Sequence, residues 1–271
     1  MTIGAEERGF RALLALVRDG VPLIEGCRAV AGESGLEGYR AVEKALADGA
    51  SLLDALPGLP APLRPLLRWG ERTGDLLAAM EQAAVAWSST PDARLPLLYL
   101  GCAVGSATPA DLAVEGRECF DVDPDWTRFA AELADGAGVA AAAAGKPRIL
   151  PPPAEAILAR AESSGVLPEI LLGLWEDARR GPARAPWPRA FFAWSLLMTA
   201  GSPLEEALAT LRSAFPLPDL RALRTADFVA SLEGAFTPTI RALLKKACEC
   251  GNLARTLRRI ADDLDRGWLP A

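Results

Sequence analysis

The 271 residues carry 29 basic and 35 acidic side chains, a net charge of −6, and 51% of them are apolar, enough to pack substantial cores and too apolar for a disordered chain. Histidine is absent, which excludes Ser-His-Asp and Cys-His nucleophile pairs and removes the commonest zinc ligand. Abundant Ala and Leu beside only 8 Phe and 2 Tyr favour an all-α fold, and five cysteines without a secreted-framework spacing read as reduced thiols in a cytoplasmic protein.

Taken in chain order, Phe10, Leu13, Leu14, Leu16 and Val17 form a helical stripe that Gly20 closes. Pro22 opens the next helix, which runs through Leu23, Cys27, Val30 and Ala31. Ser51 is placed to cap a short helix over Leu52, Leu53 and Leu56, ended by the Pro57-Gly58 turn. Leu63, Leu66, Leu67 and Gly70 give a further stripe, Gly74 breaks it, and Asp75 caps a last helix through Met80 to Trp87. Such short connections predict antiparallel neighbours. Ser88-Ser89-Thr90-Pro91 then reads as a linker. The apolar run Leu95 to Ala107 falls short of the ~20 residues a membrane span needs and stops at Pro109 and Asp111. With no signal-peptide pattern at Met1 to Phe10, the expectation is a soluble chain that meets a membrane only peripherally or through partners.

The pattern then repeats. Gly20-Val21-Pro22 is echoed by Ala107-Thr108-Pro109, and Leu46-Ala47-Asp48-Gly49-Ala50 by Leu133-Ala134-Asp135-Gly136-Ala137, both 87 residues later. Glu71-Arg72-Thr73-Gly74 is matched by Glu162-Ser163-Ser164-Gly165 at 91 residues, with a proline-rich insertion around Lys146 to Pro153 accounting for the difference. Ala200-Gly201-Ser202-Pro203 and Cys248-Glu249-Cys250-Gly251 supply a third version, its Glu displaced by one position. Arg179 to Pro188 reads as the second linker. The predicted organisation is three tandem antiparallel helical bundles of about six helices each, over residues 5–90, 93–180 and 186–268.

In the first of these spans, Phe10 with its apolar helix, Asp19-Gly20-Val21-Pro22-Leu23, Leu46 to Leu52 and Gly70-Glu71-Arg72-Thr73-Gly74 together resemble the cytoplasmic domain of the type II secretion F and type IV pilus assembly platform family. Gly70 to Gly74 is the part most similar to that family's Glu-x-Thr-Gly motif. The resemblance implies a non-enzymatic scaffold at the inner membrane whose helical domains contact an assembly ATPase and other platform proteins. The chain differs from that layout in having three units rather than two and no membrane-spanning stretch, so a helical repeat protein redeployed for regulation or oligomerisation is the alternative.

Four motifs invite chemistry and are explained without it. Asp121, Asp123, Asp125, Thr127 and Glu132 fall at calcium-loop spacing, but Trp126 stands where the loop needs Gly, and Asp123 capping a helix opened by Pro124 accounts for the run. Asp262, Asp263 and Asp265 lack a second acidic cluster for Mg²⁺ and read as a solvated helix end. Gly138 to Lys146 has the wrong spacing for a phosphate loop, with Pro147 where Ser or Thr is required. Cys248 and Cys250, one residue apart, point to different sides of a helix and read as structural thiols. No catalytic residue, metal or cofactor is expected.

Two surfaces remain as candidate partner interfaces. Glu71, Arg72 and Thr73, with the matching Glu162, sit at a helix–helix corner, where they either serve local capping or face a partner. Residues 1–90, 91–179 and 180–271 carry net charges of −3, −7 and +4, and the last span concentrates Arg241, Lys245, Lys246, Arg255, Arg258 and Arg259 near its end. Such a patch suits an acidic protein, an anionic membrane surface or nucleic acid; a homo-oligomer is a separate partner expectation. Without interleaved aromatics for base stacking, nucleic acid is not expected.

Overall fold

The computed structural model describes residues 4–34, 36–56, 58–87, 94–146, 150, 153–181 and 185–269. Of the segments read as linkers, Ser88 to Pro91 lies outside them, whereas only 182–184 of Arg179 to Pro188 does: the linker is shorter than expected, because helices run to Arg180 and start again at Pro186. Most of the proline-rich insertion and Pro57 of the expected turn also lie outside. All regular structure in the described residues is helical. The span 5–90 holds α1 (Ala5–Arg18), α2 (Leu23–Ser34), α3 (Gly38–Ala47), α4 (Leu52–Ala55), α5 (Arg64–Thr73) and α6 (Leu76–Trp87). The span 93–180 holds α7 (Leu95–Ala103), α8 (Pro109–Glu115), α9 (Arg117–Phe120), α10 (Pro124–Ala134), α11 (Val139–Ala143), α12 (Ala154–Ser164) and α13 (Leu167–Arg180). The span 186–268 holds α14 (Pro186–Thr199), α15 (Leu204–Ala214), α16 (Pro218–Ala222), α17 (Phe228–Ser231), α18 (Pro238–Cys250) and α19 (Leu253–Asp265).

The turns echoed in the sequence have matching bonds. After α1, Gly20 N–H donates to the Val17 carbonyl (3.0 Å) and Val21 N–H to that of Leu16 (2.9 Å). After α14, Gly201 N–H donates to Met198 (3.1 Å) and Ser202 N–H to Leu197 (3.0 Å), the same double closure of a helix end. Three helical hairpins, α5–α6, α12–α13 and α18–α19, turn on Gly74, Gly165 and Gly251, with φ of +83°, +77° and +68°, a left-handed conformation that penalises any side chain. Gly70 lets the first hairpin close tightly, since a Cβ there would lie 2.4 Å from that of Ala79. At the matching positions, Ala161 and Ala247 are also small and buried.

By contacts the chain divides into two compact units, Met1–Gly136 and Ala137–Ala271, with the division inside the span 93–180. The first is built on Phe10, Leu13, Leu66, Leu67 and Met80 together with an aromatic cluster of Tyr99, Phe120, Trp126 and Phe129. Each such side chain contributes about 1.5–3 kcal/mol by leaving water. Every residue of α7 except Cys102 is buried. A helix apolar on all sides is a core helix, which explains the run that is too short to span a membrane. The second unit packs α14 against α19 and is centred on Phe191, Phe192, Trp194, Leu208, Leu257 and Ile260. Among the described residues, no helix is long and apolar enough to cross a membrane.

Candidate functional site

The corner at Gly74 is built from the short helix α4. Its first two amides, Leu52 N–H and Leu53 N–H, both donate to Glu71 Oε1, at 2.5 and 3.3 Å. Asp54 N–H donates to the Ser51 hydroxyl (3.0 Å) and Ala55 N–H to the Ser51 carbonyl (3.0 Å). Three amides that a helix start leaves unpaired are therefore satisfied, that of Asp54 by the Ser51 hydroxyl and those of Leu52 and Leu53 by a carboxylate from another helix, while Ala55 makes the first intrahelical bond. Thr73 also acts locally, its hydroxyl donating to the Trp69 carbonyl (2.9 Å) and accepting from Asp75 N–H (3.4 Å).

Glu162 repeats the arrangement. It accepts from Val139 N–H at 2.8 Å and Ala140 N–H at 3.3 Å, at the start of α11. Gly138 stands where Ser51 stood, and a Cβ there would come within 2.6 Å of Glu162 Oε1. The carboxylate occupies the space a capping side chain would need. In both hairpins the glutamate is a helix cap supplied from a distance.

Arg72 lies within a fan of arginines along α5. It donates to Glu115 Oε1 (2.6 Å) and Ser106 Oγ (3.4 Å), while Arg68 bonds the Glu115 carbonyl (2.8 Å) and Glu118 (3.3 Å). The Trp69 indole N–H also reaches Ser106 Oγ, at 3.2 Å. These contacts fasten α5 to the end of α8 and to α9.

The basic residues of the second unit separate into two groups. Arg258 turns inward, pairing with Glu176 and lying 3.7 Å from the Phe192 ring centroid. Arg180 completes the cluster, bonding Glu176 (2.5 Å), Asp262 (2.6 Å) and Asp265 (3.4 Å). Burial works against ionisation of Glu176, but the Arg258 and Arg180 guanidinium groups outweigh it and hold the carboxyl below the usual range. The acidic run expected to be a solvated helix end is thus tied to arginines, with Asp263 3.6 Å from Arg259. Arg241 donates to the Glu233 carbonyl at 3.3 Å. Lys245 and Arg255 are exposed and make no ion pair among the described residues.

The remaining motifs are placed as follows. Asp123 caps α10, accepting from Asp125 N–H at 2.8 Å, with Pro124 as the first helical residue. No metal-binding group of three acidic or cysteine side chains occurs among the described residues. Cys248 and Cys250 correct the reading of structural thiols: both are exposed on α18, whereas Cys27 and Cys119 are buried. Sequence reading missed the Glu176–Arg180 pair at the hub of the charged cluster, although its i,i+4 spacing on one helix is a recognisable signal. It also missed Ser106 and Glu115, for which no local signal existed. No protein-family profile matches the chain, and no curated protein matches it in sequence.

Proposed function

We propose that the chain is a non-enzymatic protein-interaction scaffold, resembling the cytoplasmic domains of the secretion and pilus assembly platform, and that it meets its partner through the exposed basic face of α18 and α19. The observation that carries this reading is the fate of the eight candidate residues. Glu71, Arg72, Thr73, Glu162 and Arg258 are engaged in internal bonds and Arg241 bonds a backbone carbonyl, while Lys245 and Arg255 stand exposed and unpaired among the described residues. Exposed cations of this kind speed and orient encounter with an acidic surface. The three-unit organisation, supported by the hairpins at Gly74, Gly165 and Gly251, belongs to the same proposal.

The test is titration of the purified chain with the assembly ATPase or platform proteins encoded in the same genome, at low and high salt. We expect association that weakens with salt and falls at least tenfold, about 1.4 kcal/mol, in the K245E/R255E double variant. Absence of association with every platform component, or association indifferent to both substitutions, would sink the proposal. Vesicles containing anionic lipid, titrated in parallel, separate a membrane surface from an acidic protein.

A further inference from the structure

The α1–α6 pair of the first unit leaves a groove of about 390 Å³ open to solvent, its α1 wall including Leu14, Ala15 and Arg18 and its α6 wall Glu81 and Val85. Five large apolar side chains are exposed among the described residues, and two of them, Leu77 (38%) and Val85 (40%), lie on this one helix. They sit four residues to either side of Glu81, so the three share one stripe. Arg18 bonds Glu81 through two nitrogens, at 3.0 and 2.8 Å, and both side chains remain well exposed. Arg11 and Gln82 also line the groove, Arg11 being held by Glu7 and the Ala84 carbonyl. Beside them the α6 strip presents the Arg18–Glu81 pair with an apolar residue on either side. Ala15 and Ala84 keep the groove walls low.

A strip of this composition is complementary to its own image under two-fold rotation. We propose that α1 and α6 form a homodimer interface in which α6 of a second copy lies antiparallel in the groove. Leu77 of each copy then meets Val85 of the other, and the two Arg18–Glu81 pairs alternate in sign around the axis. The four helices make an antiparallel bundle, with axes spaced about 8–10 Å apart. Helices of 14 and 12 residues span about 20 Å at ~1.5 Å per residue. Two of them side by side cover less than the ~800 Å² per partner of a standard interface, so the dimer is weak and reversible. The groove is remote in sequence from the basic face of α18 and α19, and the inference does not depend on the function proposed above.

Sedimentation equilibrium of the full chain from about 1 to 200 μM brackets the micromolar affinity such an interface supports. We expect reversible dimerisation, with the dissociation constant raised at least tenfold by Val85→Glu, and by the milder Leu77→Ser/Val85→Ser pair with unchanged circular dichroism. Arg18→Glu and Glu81→Arg should each weaken the homodimer, because each puts like charges around the axis. Mixed together, these two variants should form a heterodimer, because every charge contact between the copies at the axis then joins opposite signs. A chain monomeric throughout the range, a dimer indifferent to both Val85 changes, or a mixture that associates no better than its components would overturn the proposal.

Discussion

Replacing Glu71 with Ala separates a helix cap from a partner surface. The substitution removes the acceptor of two amides at the start of α4, one bond short and one long. A hydrogen bond to a charged group contributes about 1.5–3 kcal/mol, and one left unmade inside a protein costs a similar amount. Glu71 is only half-buried and water reaches part of the corner, so we expect a loss of about 2 kcal/mol. At about 2–4 °C per kcal/mol for a domain of this size, the first unit should melt roughly 6 °C earlier. The cost is not confined to four residues, because Leu52 and Leu53 are buried and leave the core when α4 detaches. Glu71→Gln keeps a neutral acceptor and should lose about half as much. Hydrogen exchange gives the site-specific reading, with the Leu52 and Leu53 amides losing protection in Glu71→Ala while those of α1 keep theirs. If Glu71→Ala melts like the parent and both amides stay protected, the capping role is wrong, and a selective loss of partner binding would identify the corner as an interface.

Two further outcomes follow from titratable groups. The carboxyl of Glu176 is depressed in the folded chain, with the Arg258 and Arg180 charges overcoming an opposing effect of burial. Its stabilisation is therefore fully present above the ordinary carboxylate value near 4.3 and is lost as pH falls through the lower folded value. Urea unfolding of the second unit between about pH 5 and 2 should show this loss, and Arg258→Ala should shrink it; an unchanged slope would remove Arg258 as its cause. Thiol labelling should divide the cysteines, with Cys248 and Cys250 modified in the native chain. Burial pushes the thiols of Cys27 and Cys102 up to about 11 and raises that of Cys119 as well, so these three should react only on unfolding. Fast labelling of Cys119 under native conditions would contradict its place in the core.

The legible parts of this fold are local. Gly20 and Gly74 announce helix ends because the left-handed turn is a property of one residue and its immediate neighbours. Asp123-Pro124 announces a helix start for the same reason. Glu71 was legible as a candidate cap, but the helix it caps was not, since the amides lie 18 and 19 residues earlier and only folding brings them to it. Arg258 looked like one more cation of a surface patch. Its partner Glu176 is 82 residues away, and nothing in the spacing shows that Phe192 places an aromatic face beneath it. Cys248 failed differently, because helical periodicity gives the angle between two side chains without saying which side faces water.

The three hairpins differ in one position, and the difference bears on where a partner can dock. Three residues before the turning glycine stand Glu71, Glu162 and Cys248. In the first two hairpins this position holds a short helix, α4 or α11, by its leading amides. In the third it carries a thiol, which cannot replace a carboxylate as acceptor for two amides. Glu249, displaced by one residue, has rotated by about 100° around the helix and bonds Lys246 at 3.1 Å instead. Cys248 is accordingly exposed, as are Lys245 one turn before it and Arg255 beyond the glycine. The position that holds a short helix in two hairpins is thus left to solvent in the third, with cations beside it. The proposed partner surface therefore coincides with the hairpin that lacks this glutamate, and Lys245 and Arg255 are the residues through which to test it.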